Sequence, residues 1–229
     1  LLLAVKLRLI LCQFQQQLQL KHIFIYFIVL KVGGIMVNYL GEYHGGVGGG
    51  AIWHLEGNGN DSSVNGWNPL ETNNMAFGLS YGRFGQGALF NGSNSDIRYP
   101  NNLYQATDAN YTILAFVKPS EARTQTIYAY YTYFDAANQH GIKFKINSSN
   151  KLYLFHRNNN PGQDASVTGT IDVPINVWTF VACRCNGTNL SLFVNGKLDT
   201  STACNFYANY NGSWGGSFIG VTRLAPSPT

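Results

Sequence analysis

An all-β fold follows from three features of this 229-residue chain. Charged residues make up only 11% of it, against about 25% in an ordinary soluble domain. Aromatic residues reach 14%, and asparagine is about as abundant as the 25 glycines. Helical bundles, coiled coils and charged disordered tails need Ala, Glu, Lys and Leu instead. Asn, Gly, Thr and Tyr favour strands and tight turns. The third feature is spacing. From Ala51 onward, short apolar or alternating runs recur about every ten residues between Gly, Asn, Ser or Pro clusters, the rhythm of a sandwich or barrel.

The first 35 residues differ in kind from the rest: they are apolar, rich in Leu, Ile, Phe and Gln, and contain no Asp or Glu. Their longest uncharged apolar run, Ile23 to Leu30, is far short of the roughly 20 residues of a membrane-spanning helix. No small-x-small cleavage site follows it. Codons suggest another origin. Lys31-Val-Gly-Gly-Ile-Met36 can be encoded by a purine-rich GGAGG stretch just before ATG, the layout of a bacterial ribosome-binding site read in frame. Residues 1–35 are therefore expected to be a leader upstream of a true start at Met36, with a signal-anchor as the alternative. A membrane partner is expected only in that second case. The net charge of +4 comes from Lys6, Arg8, Lys21 and Lys31; setting them aside leaves 11 basic residues against 11 acidic ones. No basic patch remains for phosphates, so nucleic acid is not an expected partner.

Residues 36–50 are glycine-rich and read as a flexible lead-in. Strands are expected at 51–55, 76–81, 112–117, 126–133, 141–146, 152–156, 177–185, 190–194 and 217–221. Asn195-Gly196 joins Leu190–Val194 to Lys197-Leu198 and predicts a hairpin turn, because both turn positions want positive φ. In Gly141–Asn147, Ile142, Phe144 and Ile146 alternate with Lys143 and Lys145, which gives one buried and one wet face. Ser148-Ser149-Asn150 then turns the chain into Lys151–Arg157. Cys183 and Cys185 share one face of a strand, cannot readily bridge each other, and read as small buried residues. A pairing of Cys204 with either stays open. The five His and four Cys show no zinc spacing.

Several segments resemble a known family when taken in order. These are Ala51–Ser63 with its Gly/Asp/Ser loop, Gly82–Ser93 followed by Asp96–Pro100, Tyr111–Pro119, and Asn176–Cys183 through Leu192–Lys197. They resemble the concanavalin A-like lectin/glucanase superfamily, in particular its laminin-G-like jelly-roll branch, with Phe116 where a Trp is usual. The resemblance covers about Ala51 to Val221 and implies a jelly-roll β-sandwich of two antiparallel sheets over residues 51–222. Residues 223–229 are expected to be a truncated tail, with a closing strand missing. Trp178 is expected to bury its ring in the core. Asp61 and Asp96 read as turn residues capping local N–H groups. By the resemblance, Glu56 falls where an acidic ligand of a structural calcium is often placed.

The glucanase branch would need two carboxylates about 5–5.5 Å apart. On a strand such a pair appears as E-x-D-x-E or a near variant, and none of Glu42, Glu56, Glu71 and Glu121 has a carboxylate two or four residues away. A pair assembled from different strands is not addressed by this spacing. Catalysis is not expected. A lectin-like site needs aromatic faces and planar amides or carboxylates. Both occur where Tyr128, Tyr130, Tyr131 and Tyr133 run into Asp135, Asn138 and His140, opposite His156, Arg157 and Asn158. The candidate carbohydrate-binding residues are Tyr131, Tyr133, Asp135, Asn138, His140, His156, Arg157 and Asn158. Zero net charge predicts neutral binding that varies little with salt. The expected role is a carbohydrate-binding or adhesion module, outside the cell or on a virion surface, with a glycan or polysaccharide as partner. The alternatives are a structural phage-tail or capsid-decoration domain and, third, a glycoside hydrolase.

Overall fold

The computed structural model describes residues 24–26, 51–63, 65–100, 110–133, 139–157, 164–205 and 215–220. Its strands are β1 (Phe24–Tyr26), β2 (Ala51–Ile52), β3 (Glu71–Asn73), β4 (Ala76–Gly78), β5 (Gly87–Leu89), β6 (Asp96–Tyr99), β7 (Asn110–Val117) and β8 (Gln125–Tyr133). They continue with β9 (Gln139–Ile146), β10 (Lys151–Arg157), β11 (Asp164–Asp172), β12 (Thr179–Asn186), β13 (Asn189–Val194), β14 (Lys197–Ala203) and β15 (Gly215–Gly220). Two large sheets form a jelly-roll sandwich. The first runs β14-β13-β12-β7-β1-β2 and the second β11-β10-β9-β8-β15-β6-β3; β4 and β5 pair by themselves. The chain starts in the first sheet with β1 and β2, enters the second with β3 and β6, returns for β7, crosses for β8–β11, returns for β12–β14 and crosses again for β15. Among the described residues, no helix is long and apolar enough to cross a membrane.

Alternation decides what each sheet buries. On β9 and β10, Ile142, Phe144, Ile146, Leu152 and Leu154 point inward and are buried. Lys143, Lys145, Tyr153, Phe155 and Arg157, at the positions between, are half-buried. On β8 the inward tyrosines are Tyr128 and Tyr130, at 0% and 1% exposure. The Tyr128 hydroxyl and Ser217 Oγ lie 2.8 Å apart, so the buried phenol keeps a partner. From the facing sheet come Ile113, Val181, Leu190 and Leu192, with Cys183 and Cys185 buried among them as small core residues. All three described cysteines are free. The Cys185 thiol, held protonated by a hydrogen bond to Cys204 and by burial, is pushed well up.

The opening loop is pinned by one carboxylate. Asp61 accepts hydrogen bonds from the backbone N–H of Ile52, Ser63 and Trp67, each at 2.8 Å, and from Ser63 Oγ at 2.6 Å. The Tyr99 hydroxyl donates to Gly59 O at 2.8 Å, and its ring lies 4.2 Å from that of the fully buried Trp53. Asn195-Gly196 turns with φ of 50° and 80°, as the two-residue hairpin requires. Asn150 takes φ 56° at the next predicted turn, with Asn147 Oδ1 accepting from the N–H of Ser149 and Lys151.

Two expectations are corrected. Trp178 is only half-buried, because it precedes β12, whose inward positions are Val181, Cys183 and Cys185. Asp96 opens β6 rather than capping a turn: it is fully buried, and Asn73 Nδ2 donates to its Oδ1 at 3.4 Å. Within residues 1–35, β1 pairs in parallel with both β2 and β7. Residues 36–50 and the tail 223–229 lie outside the described residues.

Candidate functional site

The hairpin register gathers much of the sequence-selected set at one end of the second sheet. Tyr133 pairs with Gln139, Thr132 with His140, and Tyr131 with Gly141, which in turn pairs with Arg157. Tyr131, Tyr133 and His140 are described by this backbone register, whereas Asp135, Asn138 and Asn158 lie outside the described residues. β15 begins at the same end, with Gly215 beside Thr132 and Gly216 beside Tyr131. The row therefore reads Gly216, Tyr131, Gly141, Arg157, Asp164 across five strands. Glycine on both sides leaves no cross-strand side chain directly beside Tyr131. Interior glycines of this kind mark places where another group approaches the sheet closely.

The structure separates two residues that the sequence joined. Arg157 sits on the outer face, where its Nε and Nη2 reach Asp164 Oδ2 at 2.9 and 2.7 Å. His156, its neighbour, points inward by strand alternation and is 6% exposed. Its Nδ1 lies 3.4 Å from the Tyr111 hydroxyl, with the rings 5.4 Å apart. His156 is a core residue and shares no surface with Arg157. Glu56 is half-buried just past β2. Among the described residues, no three His, Cys, Asp or Glu side chains converge as a metal would need.

Two further rows of the outer face were not singled out from the sequence. Ala129, Lys143, Phe155 and Ser166 form one; Thr126, Lys145, Tyr153 and Thr168 form the other. Lys145 Nζ lies 4.7 Å from the Tyr153 ring centroid and Lys143 Nζ 5.6 Å from that of Phe155. The Arg157 guanidinium lies 5.6 Å from the Phe155 ring, on the side toward the glycine row. Cations held over ring faces in this way gain about 0.5–2 kcal/mol each, more as water is excluded. Burial, with Lys145 and Arg157 repelling it, pulls the Lys143 ammonium below its ordinary value of 10.5. The alternation of Lys143 and Lys145 was visible in the sequence. Their aromatic partners became recognisable only through the β9–β10 register.

A family model for the concanavalin A-like lectin/glucanases superfamily (Laminin_G_3) matches residues 91–227. The chain belongs to this superfamily. Of the solved structures similar to this superfamily member, the binding domain of Paraclostridial Mosquitocidal Protein 1 has a TM-score of 0.54 at 14% identity. That match covers 72% of the present chain, which spans only 42% of the toxin structure. Domain 4 of AbnA, an extracellular arabinanase of Geobacillus stearothermophilus in complex with arabinotriose, has a TM-score of 0.47 at 23% identity, covering 66% of this chain and 68% of that one. The CBM40 of Ruminococcus gnavus IT-sialidase, bound to α2,3-sialyllactose, has a TM-score of 0.42 at 16% identity, covering 53% and 69%. At these identities the likeness is one of fold. No curated protein sequence matches the chain.

Proposed function

We propose that this lectin/glucanase-superfamily domain is a non-catalytic carbohydrate-binding or adhesion module of a larger secreted, cell-surface or virion protein. The observation that carries the reading is the row Gly216, Tyr131, Gly141, Arg157, which brings a tyrosine, a guanidinium and two side-chain-free positions together at one sheet end. The segments selected for their amide and carboxylate content, 134–138 and 158–160, adjoin the ends of β8, β9 and β10 in sequence. Most described carboxylates already serve the fold, which supports a non-catalytic role. Asp61 holds the opening loop, while Glu71, Glu121, Asp164 and Asp172 pair with Arg98, Arg123, Arg157 and Lys151.

A glycan array tests the reading directly, and Tyr133→Ala tests the site. Removing an aromatic contact costs on the order of 1–3 kcal/mol, so this variant should bind about 5- to 150-fold more weakly and melt as the parent does. A sharply lower melting temperature with affinity intact would make these tyrosines packing residues. An array with no glycan bound would favour a structural virion domain.

A further inference from the structure

We propose that the outer face of the second sheet, centred on Lys143, Lys145 and Arg157, binds an anionic glycan. This rests on the glycan reading above and narrows it to sugars bearing carboxylate or sulfate. It also reverses the expectation of a neutral, salt-insensitive site. Zero net charge describes a whole domain and does not describe how charge is distributed on its faces.

The outer face of β6 and β8–β11 carries Arg98, Lys143, Lys145, Lys151 and Arg157 as its cations. Of the carboxylates on this face and on the adjoining β3, Asp96 is fully buried beside Asn73, while Glu71, Asp164 and Asp172 pair with Arg98 at 2.9 Å, Arg157 at 2.7 Å and Lys151 at 2.7 Å. Those pairs lie toward the margins. Between them stand Lys143 and Lys145, two residues apart on one strand and so about 7 Å apart along it. Their cross-strand neighbours are Ala129, Thr126, Phe155 and Tyr153, with Ser166 and Thr168 one strand further; the Lys143 row ends four strands away at Glu71, which pairs with Arg98.

Chemistry then selects the ligand. A neutral sugar stacks on an aromatic face, but the faces of Tyr153 and Phe155 already have ammonium and guanidinium groups over them. Stacking would have to displace those cations. An anionic sugar leaves them in place, because its charged oxygens meet ammonium groups that the rings already position. Such charge-assisted hydrogen bonds are roughly twice as strong as neutral ones. Ser166 and Thr168 add hydroxyls in the same rows for the sugar's own hydroxyls. Bringing an anion between Lys143 and Lys145 also relieves their mutual repulsion, a gain that no neutral ligand offers.

The test is titration of the full chain with polygalacturonate oligosaccharides, dextran sulfate, arabinotriose and a DNA duplex, at 50 and 500 mM NaCl. We expect one of the two anionic glycans to bind, with affinity falling at least tenfold at the higher salt because the charges are exposed to screening. Which of the two binds more tightly identifies carboxylate or sulfate as the recognised group. The double variant Lys143→Ala/Lys145→Ala should lose at least tenfold while still unfolding in one cooperative transition, and Lys143→Arg/Lys145→Arg should retain binding. Arabinotriose bound as tightly as either polyanion, with the double alanine variant unaffected, would overturn the inference and leave the glycan reading standing. DNA bound as tightly as the anionic glycans would overturn it as a non-specific polyanion surface. Failure of every glycan to bind would remove both proposals.

Discussion

At the residue scale, position on an alternating strand outweighs side-chain chemistry. His156 and Arg157 are adjacent and both suit sugar hydroxyls, yet one is buried against Tyr111 and the other faces outward with Asp164. Lys143 shows how the same alternation shapes charge. Because its folded-state value lies below 10.5, the native state holds fewer protons than the unfolded chain in the window just beneath 10.5. Its ammonium therefore costs stability in full at neutral pH, and the cost disappears as pH rises through that window. Lys145→Ala removes one of the repelling charges and should move the Lys143 titration back toward 10.5, which an NMR titration of the lysine side chains would read. An unchanged or lowered value would mean that Lys145 does not act on Lys143.

At the element scale, the strong strands were legible and the polar ones were not. β9 and β10 announced themselves through Ile142, Phe144, Ile146, Leu152 and Leu154, and Asn195-Gly196 fixed the β13–β14 turn. β11, Asp164–Asp172, was missed because only Val167 and Gly169 along it are buried and the rest reads as loop. Between the two tyrosine sets of β8, composition offered no choice; packing against Phe144 and Ser217 selected Tyr128 and Tyr130 for the core. The candidate site was legible as a neighbourhood, but its partition between faces needed the register. β1 raises a different question, since β2 reaches the first sheet only through it. Yet β2 is also held by the Ile52–Asp61 bond and by Trp53 against Tyr99. A chain begun at Met36 should therefore fold with Trp53 buried, as its fluorescence maximum would show. Loss of cooperative melting in that truncated chain would make β1 integral to the domain.

At the scale of the whole molecule, the Asp199 side chain ties the two sheets along one margin. Asp199 on β14, the end strand of the first sheet, accepts from Thr170 N–H at 3.0 Å, Thr170 Oγ1 at 2.6 Å and Ile171 N–H at 3.1 Å on β11, the end strand of the second. Gly169 has no side chain to obstruct this approach; a Cβ there would collide with the Asp199 carboxylate. Asp199→Ala should cost about 1–2 kcal/mol, since water replaces part of what is lost at an exposed margin. It should also bare edge N–H groups that invite another strand. Denaturant unfolding and size-exclusion chromatography would check both, and a variant with unchanged midpoint and monomeric elution would show that the tie is dispensable. The alternation on β9 and β10 has a wider consequence. Even-numbered residues there hold the sandwich together and odd-numbered ones meet the surroundings, so the two sets answer to separate demands. A lineage can exchange the outward set by single substitutions and explore new ligands while the inward set stays unchanged, so such a scaffold can diversify in what it recognises without first having to be stabilised.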